Sequence, residues 1–326
     1  MPAKINVRSL LGGLLFVAAA TSSLSAQDKY PSKPINVIVP FAAGGNADVL
    51  ARIVGDHASK LLGQPFIFEN RTGAGGNTGV AAVAKANPDG YTLGVGTTGP
   101  LTINPHLFKE KMPYDAIKDV KPLMIMATQP ILIVVNNALP VKTLAELIAY
   151  IKANPDKESY ASSGVGTSQH LCMELLAQEA GLKMAHVPYR ASNQIMQDLM
   201  AGHVKITCDN FATAYEQVKA GTLRGIAVTS PGKYSGSPEL PAAAETIPGF
   251  EVIVFHAYIA PAALPDAMAT RVVTALQTAL KDAEVQAKLK LLGVEPSGLT
   301  GSGFSTFMKT QYDKWQAVID KSGMKL

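Results

Sequence analysis

The chain has 326 residues, of which 47% are hydrophobic and 17% charged, and this length and composition predict well-buried cores and exclude an intrinsically disordered chain. There is room for two domains. The 29 basic and 25 acidic side chains give a formal net charge of +4, and the lysines and arginines form no cluster that could follow a phosphate backbone, so nucleic acid is not an expected partner.

The first 26 residues have the order of a secretory signal peptide. Lys4 and Arg8 precede an apolar run over residues 10–20, and small residues then lead to Ala26. The apolar run is too short to serve as a permanent membrane anchor. We therefore expect residues 1–26 to be a signal peptide and the mature chain to be exported from the cytoplasm.

Export bears on the two cysteines, Cys172 and Cys208. An oxidising compartment permits a disulfide between them. Buried cysteines also serve as small apolar side chains, and the spacing along the chain does not give the Cα separation that a disulfide needs. Both interpretations are open at this point.

A strand, a glycine turn and a helix are predicted near the start of the mature chain. Residues 35–39 are rich in Val and Ile and predict a buried strand, and apolar residues over 47–62 recur at helical spacing. We expect Asn46 to cap this helix and Asp48 to favour its first turn. Exposed backbone N–H groups at the end of the 41–46 turn would suit a carboxylate or phosphate oxygen. An ordinary strand-to-helix connection is the alternative.

Two more strands complete a first unit. The pattern predicts strands over 65–69 and 91–96, with a helix of small residues over 78–86 between them. A β-α-β-α-β order predicts a parallel sheet, and ligands of such sheets bind at the carboxyl ends of the strands. The turn that begins at Thr97 and Thr98 should therefore share a crevice with the 41–46 turn.

A second unit of the same design follows two extended runs at 123–127 and 131–135. A short strand at 159–161 leads through a Ser- and Gly-rich turn over 162–168 into a helix that Thr167 or Ser168 should cap. A later strand over 204–208 leads into a polar turn that begins at Asp209. A second parallel sheet is expected here. Because the chain leaves the first unit once and returns once, two crossovers near Ala127 and Thr229 would permit a hinge between two lobes.

No motif of a known enzyme class is present. The glycine run over 73–79 lacks the spacing of a dinucleotide-binding turn, and no phosphate-binding lysine motif or G-x-S-x-G sequence occurs. The six histidines are not paired at metal-ligand spacing, so neither a metal nor a cofactor is expected. Most of them are interpreted as structural, although His170 and His256 lie near predicted crevice positions.

Three further side chains have two interpretations each. Arg190 could bind a ligand carboxylate, but an ion pair with Asp198 or Glu174 is the favoured interpretation. Asp209 could accept a ligand ammonium or cap a helix. Phe41 and Phe211 could line the crevice or belong to the core.

Short segments along the mature chain carry a resemblance to a known family. They include PFAAGGNADVLAR at 40–52, ENR at 69–71, NPDGY at 87–91, SSG at 162–164, VPYR at 187–190, CDN at 208–210 and AVTS at 227–230. In this order they resemble the receptors of tripartite tricarboxylate transporters, the Bug-type extracytoplasmic solute receptors. The resemblance covers essentially the whole mature chain.

The resemblance implies an α/β, class II (Venus-flytrap) periplasmic binding protein with a parallel-rich sheet in each lobe. Such a receptor captures a small organic carboxylate and delivers it to the membrane components of the transporter. We expect residues 27–126 and 230–326 to form lobe 1, residues 127–229 to form lobe 2, and the protein to be a monomer. The candidate ligand-binding residues are Phe41, Ala42, Gly44, Gly45, Asn46, Asp48, Thr97, Thr98, Ser162, Ser163, Gly164, Gly166, Thr167, His170 and Asp209.

The chain departs from the family pattern at two places. Ala191 stands where glycine is usual, and Phe255-His256-Ala257 replaces a more usual aromatic-aromatic-glycine segment, which bears on the choice of ligand. The competing interpretation is a periplasmic enzyme acting on a small acid, with His170 or Asp209 as general base. The ligand itself is open among dicarboxylates and tricarboxylates, acidic amino acids, aromatic acids and a neutral amide, with a slight preference for an acid that has an apolar body.

Overall fold

The computed structural model describes residues 30–155 and 157–322, so the predicted signal peptide lies outside the described residues. The strands are β1 (Ile35–Val39), β2 (Phe66–Asn70), β3 (Thr92–Thr97), β4 (Val120–Asn136), β5 (Ser159–Ser162), β6 (Ala185–Pro188), β7 (Ile206–Asn210), β8 (Leu223–Val228), β9 (Ile253–Pro261) and β10 (Glu295–Pro296). The helices are α1 (Asn46–Leu62), α2 (Asn77–Ala84), α3 (Asn104–Phe108), α4 (Leu144–Ala153), α5 (Ser168–Ala180), α6 (Ser192–Ala201), α7 (Phe211–Lys219), α8 (Asp266–Lys281), α9 (Ala283–Leu291) and α10 (Gly301–Ser322).

Both predicted parallel units are present. In the first half of the sheet, β1 lies between β2 and β3 and is parallel to both. In the second half, β5 lies between β6 and β7 and is again parallel to both. The antiparallel strands β9 and β4 join the halves in the order β2-β1-β3-β9-β4-β7-β5-β6.

The two extended runs predicted around 123–135 form a single strand, which corrects the predicted break at Gln129-Pro130. The first part of β4 pairs with β9, and the part after Pro130 pairs with β7 and β8. Pro130 pairs with Ile253, the first residue of β9, at the end of that ladder, where its missing N–H costs little. The strand therefore runs from one half of the sheet into the other.

Helices cover both faces of the sheet because alternate strand residues point to opposite faces. In β1, Val37 and Val39 belong to a core with α1 and α8, whereas Ile38 belongs to a second core that includes Phe304 of α10. The last helix also reaches the other half, where its Trp315 is buried with residues of β4 and α5. None of the helices in residues 30–155 and 157–322 is long and apolar enough to cross a membrane.

The two cysteines form a disulfide. Cys172 lies on α5 and Cys208 on β7, with their Cα atoms 6.4 Å apart. Of the two interpretations that the sequence left open, the disulfide is therefore the correct one. The bond ties the helix to the strand beneath it, a few residues from the ends of both elements.

Candidate ligand-binding cleft

A cleft of about 220 Å³ lies where the two halves of the sheet meet. One wall comes from the turn before α1 and from the end of β3. The opposite wall comes from the segments that begin α5, α6 and α7, and β9 contributes residues between the walls. The lining residues are Phe41, Ala42, Ala43, Gly44, Gly45, Asn46, Ala47, Thr97, Gly99, Ser163, Thr167, Ser168, Gln169, Arg190, Ala191, Ser192, Asn193, Asn210, Thr213, Val254 and His256.

Four helices begin at this cleft. They are α1 at Asn46, α5 at Ser168, α6 at Ser192 and α7 at Phe211. The unpaired N–H groups of a helix N-terminus and the positive end of its dipole favour an anion. Among the described residues that line the cleft, none is an aspartate or glutamate, and Arg190 adds a positive charge. The site is therefore electrostatically suited to a negatively charged ligand.

A hydrogen-bond network behind the first wall fixes the turn over 41–45. The N–H of Gly44, which has a φ of +75°, donates to Asp48 Oδ2 at 3.0 Å. Asn70 Nδ2 donates to the carbonyl of Phe41 at 2.8 Å and to Asp48 Oδ1 at 3.0 Å, and Arg52 Nε donates to Asp48 Oδ2 at 3.0 Å. Burial alone would raise the pKa of Asp48, but the bonds from Arg52, Gly44 and Asn70 outweigh it and lower that pKa.

The helix cap predicted for Asn46 is wrong. Gly45 occupies the N-cap position of α1, and no side chain caps this helix. Asn46 is instead the first helical residue, and its Nδ2 lies 3.3 Å from Nε2 of His256. Asp48 instead fixes the start of α1, because its carboxylate accepts a hydrogen bond from the N–H of Gly44 in the preceding turn.

The opposite wall is organised by Gln169. Its Oε1 accepts hydrogen bonds from the N–H of Ser163, at 2.8 Å, and from the hydroxyl of the same residue. Its Nε2 donates to Ser192 Oγ at 2.9 Å and to Asp209 Oδ1 at 2.6 Å. This one side chain therefore links the 162–166 turn, the start of α6 and the end of β7. The predicted cap of α5 is present, since Thr167 Oγ1 accepts from the N–H of His170.

Asp209 lies behind Gln169 and Ser192 and does not line the cleft. It is fully buried, and its Oδ1 accepts from Gln169, Ser192 and the N–H of Asn210. Burial raises the pKa of Asp209 to about 6. The carboxylate therefore supports the wall from behind.

The predicted site residues fall into two groups. Those that line the cleft are Phe41, Ala42, Gly44, Gly45, Asn46, Thr97, Ser163 and Thr167, and those outside the lining are Asp48, Thr98, Ser162, Gly164, Gly166, His170 and Asp209. The second group holds the walls in place. Thr98 Oγ1 accepts from the N–H of Phe255 at 2.9 Å, and Ser162 Oγ lies 2.6 Å from Nε2 of His186, whose ring stacks on that of His170.

The favoured interpretation of Arg190, a structural ion pair, is wrong. Asp198 instead accepts a hydrogen bond from the hydroxyl of Tyr189 at 2.7 Å, and Glu174 accepts one from Tyr160. The side chain of Arg190 is exposed at the rim of the cleft and makes no ion pair with any residue of the described ranges. Phe211 is a core residue that packs on Tyr215 and Tyr234.

His256 lies between the walls, in the middle of a chain of polar side chains. Its Nε2 is 3.3 Å from Asn46 Nδ2 and 3.4 Å from Gln129 Nε2, and the latter atom also donates to Asn210 Oδ1 at 3.2 Å. The chain thus connects α1, β9, β4 and β7 across the floor of the cleft. His256 is 4% exposed, and burial lowers its pKa to about 4, so the ring is neutral at pH 7.

Several lining residues were not among the individually named candidates, although Ala43 and Gly99 lie in two turns that were predicted to share the crevice. They are Ala43, Ala47, Gly99, Ser168, Gln169, Ala191, Ser192, Asn193, Asn210, Thr213 and Val254. Many of them stand at helix starts, next to Ser and Thr side chains. A search of every strand-to-helix junction in the second half would have found those around Ser192 and Thr213, whereas nothing local marks Gln169 or Val254.

A mixed α/β sheet whose halves meet at one cleft, with helix N-termini on both walls, is the architecture of the periplasmic solute-binding proteins. The sequence profile described as "Tripartite tricarboxylate transporter family receptor" matches residues 50–324. The chain is also similar to BugT of Bordetella pertussis, with 30% identity over 326 residues that cover 99% of this chain and 100% of BugT. It therefore belongs to the tripartite tricarboxylate transporter receptor family, and the predicted family is confirmed.

Solved structures extend the similarity to the fold. An R. palustris protein solved with adipate is 32% identical, with a TM-score of 0.86 over 91% of this chain and 99% of that one. MatC from Rhodopseudomonas palustris, solved with bound malate, is 28% identical, with a TM-score of 0.83 over 89% of this chain and 100% of MatC. The predicted α/β periplasmic-binding-protein fold is confirmed.

Proposed function

We propose that this receptor captures a small organic carboxylate in the cleft and presents it to the membrane components of a tripartite tricarboxylate transporter. The observation that carries the proposal is the convergence of four helix N-termini on a cleft whose described lining contains no aspartate or glutamate. Each N-terminus offers backbone donors to an anion without the cost of burying a charged side chain. Adipate and malate, the acids bound to two related proteins, belong to this ligand class.

Within the cleft, the turn before α1 and the start of α5 hold one carboxylate. Backbone N–H groups in the first turn of α1, at Asn46 and Ala47, serve on one wall, and those in the first turn of α5, at Ser168 and Gln169, serve on the other. Arg190 stands at the rim, where its guanidinium attracts the acid and orients its outer end. Side-chain and backbone donors thus act on the ligand from both sides.

The proposed lobes are residues 27–126 with 230–326, and residues 127–229. Their walls face each other across the ligand, so binding favours a closed arrangement that contacts both. The strand β4 and the chain from Thr229 to β9 connect the lobes and bend on closure. The protein acts as a monomer in the periplasm, after removal of a signal peptide.

The protein binds its ligand without chemical change. The two general bases considered for an enzyme, His170 and Asp209, both lie outside the lining of the cleft. A general base must reach its substrate directly or through one water molecule. The geometry thus favours a binding protein.

A thermal-shift screen of the mature protein tests this function. Dicarboxylates, tricarboxylates, acidic amino acids, aromatic acids and alkyl monoacids are compared with the matching amides, which are uncharged. A ligand at a hundred times its dissociation constant adds about 2.7 kcal/mol of stability and raises the melting temperature. We expect a carboxylate to raise it and its amide to have little effect, with the acid recovered unchanged. Equal shifts by acid and amide, or turnover of the acid, would refute the proposal.

A further inference from the structure

The imidazole of His256 has one nitrogen with no hydrogen-bond partner in the part of the chain that the structure describes. Nε2 lies against the amide nitrogens of Asn46 and Gln129, whereas Nδ1 is buried and has no hydrogen-bond partner among the described residues. A buried donor or acceptor left without a partner costs free energy, so native structures rarely keep one. Because His256 is among the residues that line the cleft, a molecule bound there can supply the missing partner.

The contacts of Nε2 determine whether Nδ1 carries the proton of the neutral ring. With the amides of Asn46 and Gln129 as oriented in the structure, both neighbours present N–H donors, so Nε2 is the acceptor of the neutral ring. The proton of a neutral imidazole then resides on Nδ1. The neutral ring therefore carries one uncharged N–H donor, on Nδ1, and the two amides at Nε2 fix its orientation.

We infer that His256 is a specificity-determining residue whose Nδ1–H donates a hydrogen bond to an oxygen at the inner end of the bound acid. This inference rests on the proposed function and names the ligand class within it. Arg190 is at the exposed rim and His256 is on the buried floor, so the two residues meet opposite ends of a bound molecule. The receptor selects acids that carry a second oxygen group, a second carboxylate above all, over monoacids with an alkyl or aromatic body.

A neighbouring residue shows why the donor is assigned to His256. Gln129 Oε1 is also buried without a partner, but Gln129 does not line the cleft. His106 offers a matched control because its Nε2 is likewise buried without a partner among the described residues, while its ring packs edge-on against Tyr312 and does not line the cleft. Replacing either histidine with leucine makes the same chemical change in a buried place.

The test measures dissociation constants by calorimetry for two pairs of probes of equal chain length, adipate with hexanoate and succinate with butyrate. We expect the wild-type protein and His106→Leu to bind at least one diacid more tightly than its monoacid. Losing one hydrogen bond to the ligand corresponds to about a tenfold change in affinity. His256→Leu should therefore reduce the ratio of diacid affinity to monoacid affinity by about tenfold, whatever it does to the affinity for both.

The outcomes separate this inference from the proposed function. If the wild-type protein binds monoacids as tightly as diacids, or if His256→Leu keeps the full preference, the inference is wrong and a carboxylate receptor still stands. If no carboxylate binds, including those of the thermal-shift screen, both fail. Should His256→Leu not fold, 15N NMR of histidine-labelled wild-type protein decides: the Nδ1 resonance of His256 should move on adding adipate or succinate, and no movement on binding would overturn the inference.

Discussion

The carboxylate of Asp48 accepts a hydrogen bond from the backbone N–H of Gly44, four residues earlier, at 3.0 Å. This bond closes the turn that precedes α1, and Asn70 and Arg52 hold the carboxylate from the other side. The backbone donors that face the cleft therefore depend on an acidic side chain that does not line it. Asp48, in a first turn where the helix dipole favours a negative charge, shapes the anion site without repelling the anion at its surface.

Replacing Asp48 with alanine should weaken both binding and folding. The change leaves the N–H of Gly44 and the guanidinium of Arg52 without their carboxylate, a loss that costs about 2 kcal/mol for buried charge-assisted bonds. We expect acid affinity to fall more than tenfold by calorimetry, and urea unfolding to begin at lower denaturant. Asp56→Asn, on an exposed position of the same helix, is the control and should change neither. Unchanged affinity in Asp48→Ala would show that the turn holds its shape without the carboxylate.

Arg190→Gln should weaken acid binding without affecting stability. The guanidinium at the rim makes no ion pair with described residues, so its removal breaks no structural contact. We expect a roughly fivefold to tenfold loss of affinity at low salt, and a smaller loss at high salt, because charges near solvent are screened. Lys183→Gln, which changes an exposed lysine of the same half of the sheet that does not line the cleft, should leave affinity unchanged. Equal effects of the two changes would mean that Arg190 acts only through net charge.

Stability should fall as the pH is lowered from about 6.5 towards 4. Burial lowers the pKa of His170, His186 and His256 to about 4, so in this range the unfolded chain binds more protons at these sites than the folded protein. Asp209 acts in the opposite direction, because its pKa of about 6 lies above that of the unfolded chain and the folded protein gains a proton as the pH falls. The stability lost through three histidines should exceed the stability gained through one carboxyl group, so the net free energy of unfolding should fall.

Urea unfolding at pH 7.5 and pH 5 measures this balance. The free energy of unfolding should be lower at pH 5 in the wild-type protein. The Asp209→Asn variant lacks the carboxyl group that gains a proton on acidification. Its free energy of unfolding should therefore fall more between pH 7.5 and pH 5 than that of the wild-type protein. A free energy of unfolding that is constant or rises on acidification would contradict the assignment of these three histidines as neutral in the folded protein at pH 5.

The disulfide between Cys172 and Cys208 should stabilise the second half of the sheet. It closes a loop with a sequence separation of 36, which in the chain-entropy account contributes about 3 to 4 kcal/mol. The double variant Cys172→Ala, Cys208→Ala should unfold at lower urea concentration, and reduction of the wild-type protein should reproduce this change. The double variant itself should not respond to reductant, and a response there would point to an effect unrelated to this bond.

Much of the fold could be predicted because its signals are local. The strand over 35–39, the helix that follows it and the Thr167 cap of α5 each depend on residues within a few positions of one another. The order of strands and helices then made parallel sheets the expected arrangement. Backbone N–H groups at a helix start point along its axis, so turns suited to an anion could also be predicted from the sequence.

The tertiary structure alone decided which side chains line the cleft. His256 and Asn46 are separated by 210 positions, and Gln169 and Asp209 by 40, yet each pair is in hydrogen-bond contact. Such contacts depend on where β9, β7 and α5 lie relative to one another, and no local pattern encodes those distances. The position of Arg190 at the rim likewise depends on the tertiary structure. The disulfide between Cys172 and Cys208 does too, because only the packing of α5 on β7 brings the two cysteines together.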